Sequence, residues 1–124
     1  MNVWLYHRTS TPTDPDIVQA AFDRLRRSAE AKGHHVVGQS YDCGSWENLD
    51  REGLCQAIDA VTAKTADAIY SARLNRIARE TDTVSAFLRR LPSPKALLLE
   101  DTDDQDFINP LILTMFEQMK HPAE

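Results

Sequence analysis

The stretch WLYHRTST, residues 4–11, begins as a short apolar run and ends in polar chemistry. It reads as the end of a buried β-strand, part of NVWLYH at 2–7, followed by an arginine and then a serine–threonine pair. Successive side chains of a strand face opposite ways, so Tyr6, Arg8 and Ser10 are expected to lean to one side of the backbone. What a strand end would want with a guanidinium beside a hydroxyl is the question this stretch raises.

Working outward, three further stretches read as strands: HVVGQSY at 35–41, ADAIYSA at 66–72 and KALLLE at 95–100. They are short and apolar, and most lack the alternation of a half-exposed strand, which predicts cover on both faces. Helical patterns lie between them. Thr13 or Asp14 with Pro15 predicts an N-terminus, and Ile17, Ala21, Leu25 and Ala29 recur at helical spacing until Gly33. Asp50 is the predicted cap of a second helix bearing Leu54, Ala57, Ile58 and Val61, and a third runs from about Glu80 to Leu91, stopped by Pro92 and Pro94. The resulting β-α-β-α-β-α-β-α order predicts right-handed crossovers and an α/β fold, a small three-layer domain with a mainly parallel four-stranded sheet.

The 124 residues suit one domain spanning 1–124, and 42% apolar with 27% charged residues suits a folded, water-soluble chain. No apolar run approaches the roughly 20 residues of a membrane span, and the N-terminus lacks a signal-peptide layout, so a cytoplasmic protein with no membrane partner is expected. Cys43 and Cys55 are too few for a disulfide framework or zinc site and read as reduced thiols, Cys55 packed inside. A net charge of −5 argues against general nucleic-acid binding. The charge is uneven, however: arginines gather at 24, 26, 27, at 73, 76, 79 and at 89, 90, while EDTDDQD at 100–106 is densely acidic.

Ligands of open α/β sheets meet the carboxyl ends of strands where chain order reverses. HRTST ends the first strand and ARLNRIAR, 72–79, ends the third. If 72–79 is helical, Arg76 and Arg79 share a face, and with Arg8 they place three guanidinium groups around Ser10. Arginine matches phosphate oxygens through bidentate hydrogen bonds, so a serine among arginines points to phosphoryl transfer with serine as nucleophile. No histidine is obviously placed to activate it. Taken singly, each feature has a plainer reading, a strand-end serine capping a helix and two arginines on a solvated face.

YHRTST (6–11), DREGLCQAI (50–58) and ADAIYSARLNRIAR (66–79) together resemble the N-terminal catalytic domain of serine site-specific recombinases, the resolvase and invertase family. The family patterns are Y-x-R-x-S-T, then R-P-x-L opening the second helix, then an apolar strand leading into L-D-R-L-x-R, and the likeness runs from about 2 to 119. The resemblance implies that Ser10 attacks a DNA phosphodiester to give a 5′-phosphoserine link, with Arg8, Arg76 and Arg79 on the scissile phosphate and Arg73 and Tyr6 as weaker phosphate contacts. It also implies no metal, no other cofactor, and tetramers built from dimers.

Three departures stand out. Asn75 occupies the family's Asp position, and an amide cannot carry away a proton. YDCGSWENLD, 41–50, matches the family's acidic segment only loosely, with Cys43 replacing an arginine. The chain is also expected to end within the family's long dimerisation helix, without a DNA-recognition domain.

That last segment, FINPLILTMFEQMKHPAE, carries Phe107, Ile108, Leu111, Ile112, Leu113, Met115, Phe116 and Met119, more apolar surface than one contact buries. A homodimer or higher oligomer through 107–119 is expected, with DNA bound weakly or through a partner. A degenerate relative acting as a protein-interaction or regulatory module is the alternative, and an unrelated small phosphate-binding domain ranks third. His34 and His35 read as strand-edge side chains, Trp4 and Tyr70 as core aromatics, and EDTDDQD as a solvated connection and possible helix cap.

Overall fold

The structure, a computed structural model, describes residues 1–120; the last helix's expected continuation over 121–124 lies outside the described residues. The elements are β1 (Asn2–Thr9), α1 (Pro15–Ala31), β2 (His35–Cys43), α2 (Glu52–Thr62), β3 (Ala68–Ser71), a 3-10 turn (Leu74–Arg76), α3 (Thr81–Leu88), β4 (Leu97–Leu99) and α4 (Thr102–Lys120). The strands lie in the order β2-β1-β3-β4 and every pairing is parallel. The chain steps from β1 out to β2 and returns past β1 to β3, so its order reverses between β1 and β3.

Alternation along β1 divides the interior. Val3 and Leu5 pack with Phe22, Leu25 and Ala29 of α1. Tyr6 joins the larger core, which holds Leu54 of α2, Phe87 of α3, and Ile108 and Ile112 of α4. One helix therefore covers one face and three cover the other. The edge strand β2 departs from the expectation of strands covered on both sides, because it pairs only with β1 and most of its residues are half-buried or exposed.

Asp14 caps α1 as predicted, accepting from the Asp16 amide at 2.8 Å, and Gly33 follows the helix with φ 84°. The cap of α2 is a correction. Arg51, not Asp50, is the N-cap, and it makes no side-chain cap bond. Asp42, at the end of β2, accepts from the Gly53 and Leu54 amides at 2.8 Å each. Asp50 instead faces outward toward Arg90 at 3.2 Å. A carboxylate from a neighbouring strand thus serves the orphan amides of the first turn and brings negative charge to the helix's positive end. The third helix is shorter than predicted, ending at Leu88, with Leu91 closing a further turn on the Leu88 carbonyl before Pro92.

Gly53 is where α2 comes closest to β2. A Cβ there would lie 2.8 Å from the Tyr41 carbonyl oxygen and 2.9 Å from the Asp42 carboxylate. Helix propensity alone favours alanine over glycine by about 1 kcal/mol. Here the backbone contact outweighs it, and Gly53→Ala is expected to destabilise the fold by about 1–3 kcal/mol, read as a fall in the urea midpoint.

Candidate active site

The side chain of Arg8 is 2% exposed yet carries a charge, so it must be satisfied internally. Its Nε donates to the Arg76 carbonyl at 3.2 Å, Nη1 to the Gly44 carbonyl at 2.8 Å and Nη2 to the Asn75 carbonyl at 2.7 Å. One guanidinium therefore joins the segments that follow β2 and β3 to the end of β1. Two of its five N–H groups remain for another acceptor. Burial lowers its pKa from the ordinary value, with Arg51, Arg79 and Arg76 adding repulsion.

Arg76 reciprocates, its Nη1 lying 3.3 Å from the Arg8 carbonyl oxygen. Ser10 is the first residue beyond β1, exposed in a bend, and among the described residues its hydroxyl has no hydrogen-bond partner. The adjacency of β1 and β3 thus brings Arg76 against Arg8, two residues before Ser10.

The expectation of a helix through 72–79 is corrected: only Leu74–Arg76 forms a turn, and Arg79 lies in the irregular segment after it. The carbonyls of this segment serve two buried arginines. Those of Asn75 and Arg76 accept from Arg8, and that of Ile77 accepts from Arg51 Nη2 at 2.8 Å. These are the groups that would accept from residues four further along in a continuing helix. Arg79 is exposed and, among the described residues, has no hydrogen-bond or ion-pair partner. It borders a hollow shared with Arg73, Asn75, Asp104 and Phe107.

Tyr6 and Arg73 are both engaged by other side chains. Tyr6 is fully buried; its hydroxyl donates to Asp42 at 2.8 Å and accepts from Arg51 Nε at 3.1 Å, so it is an internal strut and not a surface phosphate contact. Burial, then the Asp42 bond, raises its pKa. Arg73 is exposed but lies 3.8 Å from Asp101 and 3.6 Å from Asp104, so acids of α4 partly neutralise it. Asn75 keeps a buried side-chain oxygen with no partner among the described residues.

Arg51 is the residue to which sequence reasoning gave no role. Only 6% exposed, it ties Tyr6, Ser45, Asn48 and Ile77 together and lies 3.7 Å from Asp42. Its place in DREGLCQAI was the one available signal. Trp4 donates to Ser40 at 2.9 Å and Tyr70 is buried, both as core aromatics. Cys43 and Cys55 are free thiols; Cys43 is exposed, and Cys55 is half-buried and not fully inside.

The family model that matches, over residues 3–122, is described as the Resolvase N-terminal domain. No curated protein matches the chain. Among solved structures, the N-terminal catalytic domain of TP901-1 integrase is 20% identical, with 97% of each chain covered and a TM-score of 0.70. A resolvase family site-specific recombinase from Streptococcus pneumoniae is 17% identical, covering 97% of this chain and 88% of that one at a TM-score of 0.65. The C-terminal catalytic domain of ISC1926 TnpA, an IS607-like serine recombinase, is 21% identical, covering 96% and 84% at 0.64. At these identities the likeness establishes the fold.

His7, on the opposite face of β1 from Tyr6 and Arg8, has its pKa lowered from 6.5 to about 4, first by burial and then by Arg76, Arg24 and Arg8. The unfolded chain therefore binds this proton more readily between those values, and the stability contributed by neutral His7 is complete above pH 6.5 and lost as pH falls toward 4. His7→Phe, which keeps the ring contacts with Phe22 and Tyr41, is expected to cut the loss of melting temperature between pH 7 and pH 4.5 by about 4–8 °C relative to the parent. Thermal melts of both proteins across that range provide the comparison.

Proposed function

The chain belongs to the Resolvase N-terminal domain family, a family of DNA recombination, and from that premise we propose that it cuts and rejoins DNA strands through a phosphoserine at Ser10. Ser10 Oγ attacks the phosphorus of a phosphodiester. The Oγ–P bond forms as the P–O3′ bond breaks, the seryl proton passes to solvent, and the departing O3′ takes one up. The 5′-phosphate remains on Ser10 and the 3′-hydroxyl is free. Attack by a 3′-hydroxyl reverses every step, so the phosphodiester energy is conserved and no nucleotide is consumed.

Arg76 and Arg79 meet the negative charge that builds on the phosphoryl oxygens, and Arg8 holds the segment carrying them while offering its two remaining N–H groups. Preorganised donors of this kind are worth about 10²–10³ in rate each. The observation that carries the reading is the contact of Arg8 and Arg76 across the adjacent ends of β1 and β3, beside an unpartnered, exposed serine hydroxyl.

In this reading residues 1–124 act as one catalytic domain that assembles through α4. Ile108 and Ile112 are buried in the chain's own core, whereas Phe107, Leu111, Leu113 and Met119 are 44–62% exposed. A homodimer or higher oligomer would cover them. Among the described residues no helix is long and apolar enough to cross a membrane. The second reading, a protein-interaction module without cleavage, draws on Asn75 at the family's Asp position and on the commitment of three Arg8 donors to carbonyls.

A nicked suicide duplex bearing the cognate site decides between them. The cleavage reading expects a covalent DNA adduct that disappears in Ser10→Ala and forms about 10²–10³ times more slowly in Arg76→Ala. No adduct from the parent or from Asn75→Asp would favour the interaction module. For assembly, Phe107→Glu with Leu113→Glu is expected to lower the oligomeric mass in light scattering while shifting stability by no more than about 0.5 kcal/mol, since both side chains are exposed.

A further inference from the structure

We propose that Asp104, in the first turn of α4, is a positioning residue for the arginine-bearing segment 73–79, so that α4 sets where Arg76 and Arg79 stand. The catalytic part of this inference rests on the phosphoserine reading above.

Beyond Ser71 the chain leaves the sheet with little regular structure of its own. The 3-10 turn has Arg73 at its N-cap, and Arg73 supplies no side-chain cap bond. The missing acceptor comes from Asp104, whose Oδ2 takes the Leu74 amide at 2.9 Å and lies 3.6 Å from Arg73 Nε. Asp104 is fixed in turn, because its own amide donates to Asp101 Oδ1 at 2.9 Å and the Asp101 amide donates to the Ala72 carbonyl at 3.0 Å. Residues 72–74 and 101–104 are thereby linked at both ends.

Arg8 holds the same turn from the other side through the Asn75 and Arg76 carbonyls. The turn therefore has two anchors, one in the sheet and one on α4. Leu74, whose amide Asp104 holds, is two residues from Arg76. On the same helix, Phe107 shares a hollow with Asn75, Arg79 and Asp104. Phe107 is also 62% exposed.

The carboxylate has two separable duties here, accepting the Leu74 N–H and attracting Arg73. Asn at 104 keeps an acceptor and loses the charge; Ala loses both. Asp103→Ala removes an equal charge one residue away, from an exposed position. All three are tested in the full chain, below their melting temperatures, by single-turnover cleavage of the suicide duplex over a range of DNA concentrations. Hydrogen exchange across 73–78 provides a readout that needs no activity.

Asp104→Ala is expected to slow the saturated cleavage rate by about 10- to 100-fold, as displacement of a catalytic group by an ångström does. The half-saturating DNA concentration should move by less than about threefold, and the Leu74 amide should exchange faster. Asp104→Asn and Asp103→Ala should both stay within about threefold of the parent rate, because each leaves the Leu74 N–H with an acceptor. A saturated rate for Asp104→Ala within about twofold of the parent overturns the proposal, as does an Asp104→Asn rate as low as that of Asp104→Ala. If the parent itself makes no adduct, the phosphoserine reading fails and exchange alone decides the anchor: faster exchange at Leu74 in Asp104→Ala upholds it, and unchanged exchange overturns it.

Discussion

Burying the guanidinium of Arg8 is the constraint on which the site depends. A desolvated cation without acceptors is costly, and at this position every acceptor is a main-chain carbonyl from a segment that follows a strand. Satisfying Arg8 therefore fixes Gly44 after β2 and Asn75 and Arg76 after β3 relative to the end of β1. Strand order does the rest. With β1 beside β3, the strand end leads through Thr9 to an exposed serine, and Arg76 reaches the Arg8 carbonyl two residues before it.

A second buried cation, Arg51, completes the arrangement from the α2 side. Together with Asp42 and Tyr6 it forms an enclosed network in which Asp42 accepts from Tyr6 and two α2 amides and lies 3.7 Å from Arg51. Arg51 also reaches Ile77, immediately after the 3-10 turn. The two arginines thus take three successive carbonyls, those of 75, 76 and 77, and brace the irregular backbone between β3 and α3.

The element order and the Asp14 cap were legible in the sequence because each rests on local signals, short apolar runs and proline and glycine punctuation; the adjacency of β1 and β3 was a condition of the site reading that the sheet order meets. The meeting of Arg8 and Arg76 followed from topology once the strands were placed. The remainder was set by partners distant in the chain. Arg76 and Arg79, three apart, imitate a helical face, and nothing local discloses that the carbonyls of 75, 76 and 77 serve Arg8 and Arg51. Asp50 was a plausible cap by position, but Asp42 reaches the same amides from the next strand. Within EDTDDQD no side chain is distinguished by type, so the bond from Leu74 to Asp104 is visible only in three dimensions.

The chemistry of the Arg8 acceptors has a consequence for how this protein can change over generations. A carbonyl oxygen belongs to the backbone and is offered by any amino acid, so mutations at 44, 75 or 76 leave the acceptors in place provided the local path of the chain survives. The presence of Asn at 75 fits that freedom, since the group Arg8 holds there is the same one an acidic residue would present. Substitution of Arg8 itself has no such latitude: it would release the segments after β2 and β3 together. As an anchor, leaving aside what the Arg76 side chain does itself, this corner is therefore one-sided: the held positions need only their backbone, whereas the residue that holds them needs its side chain.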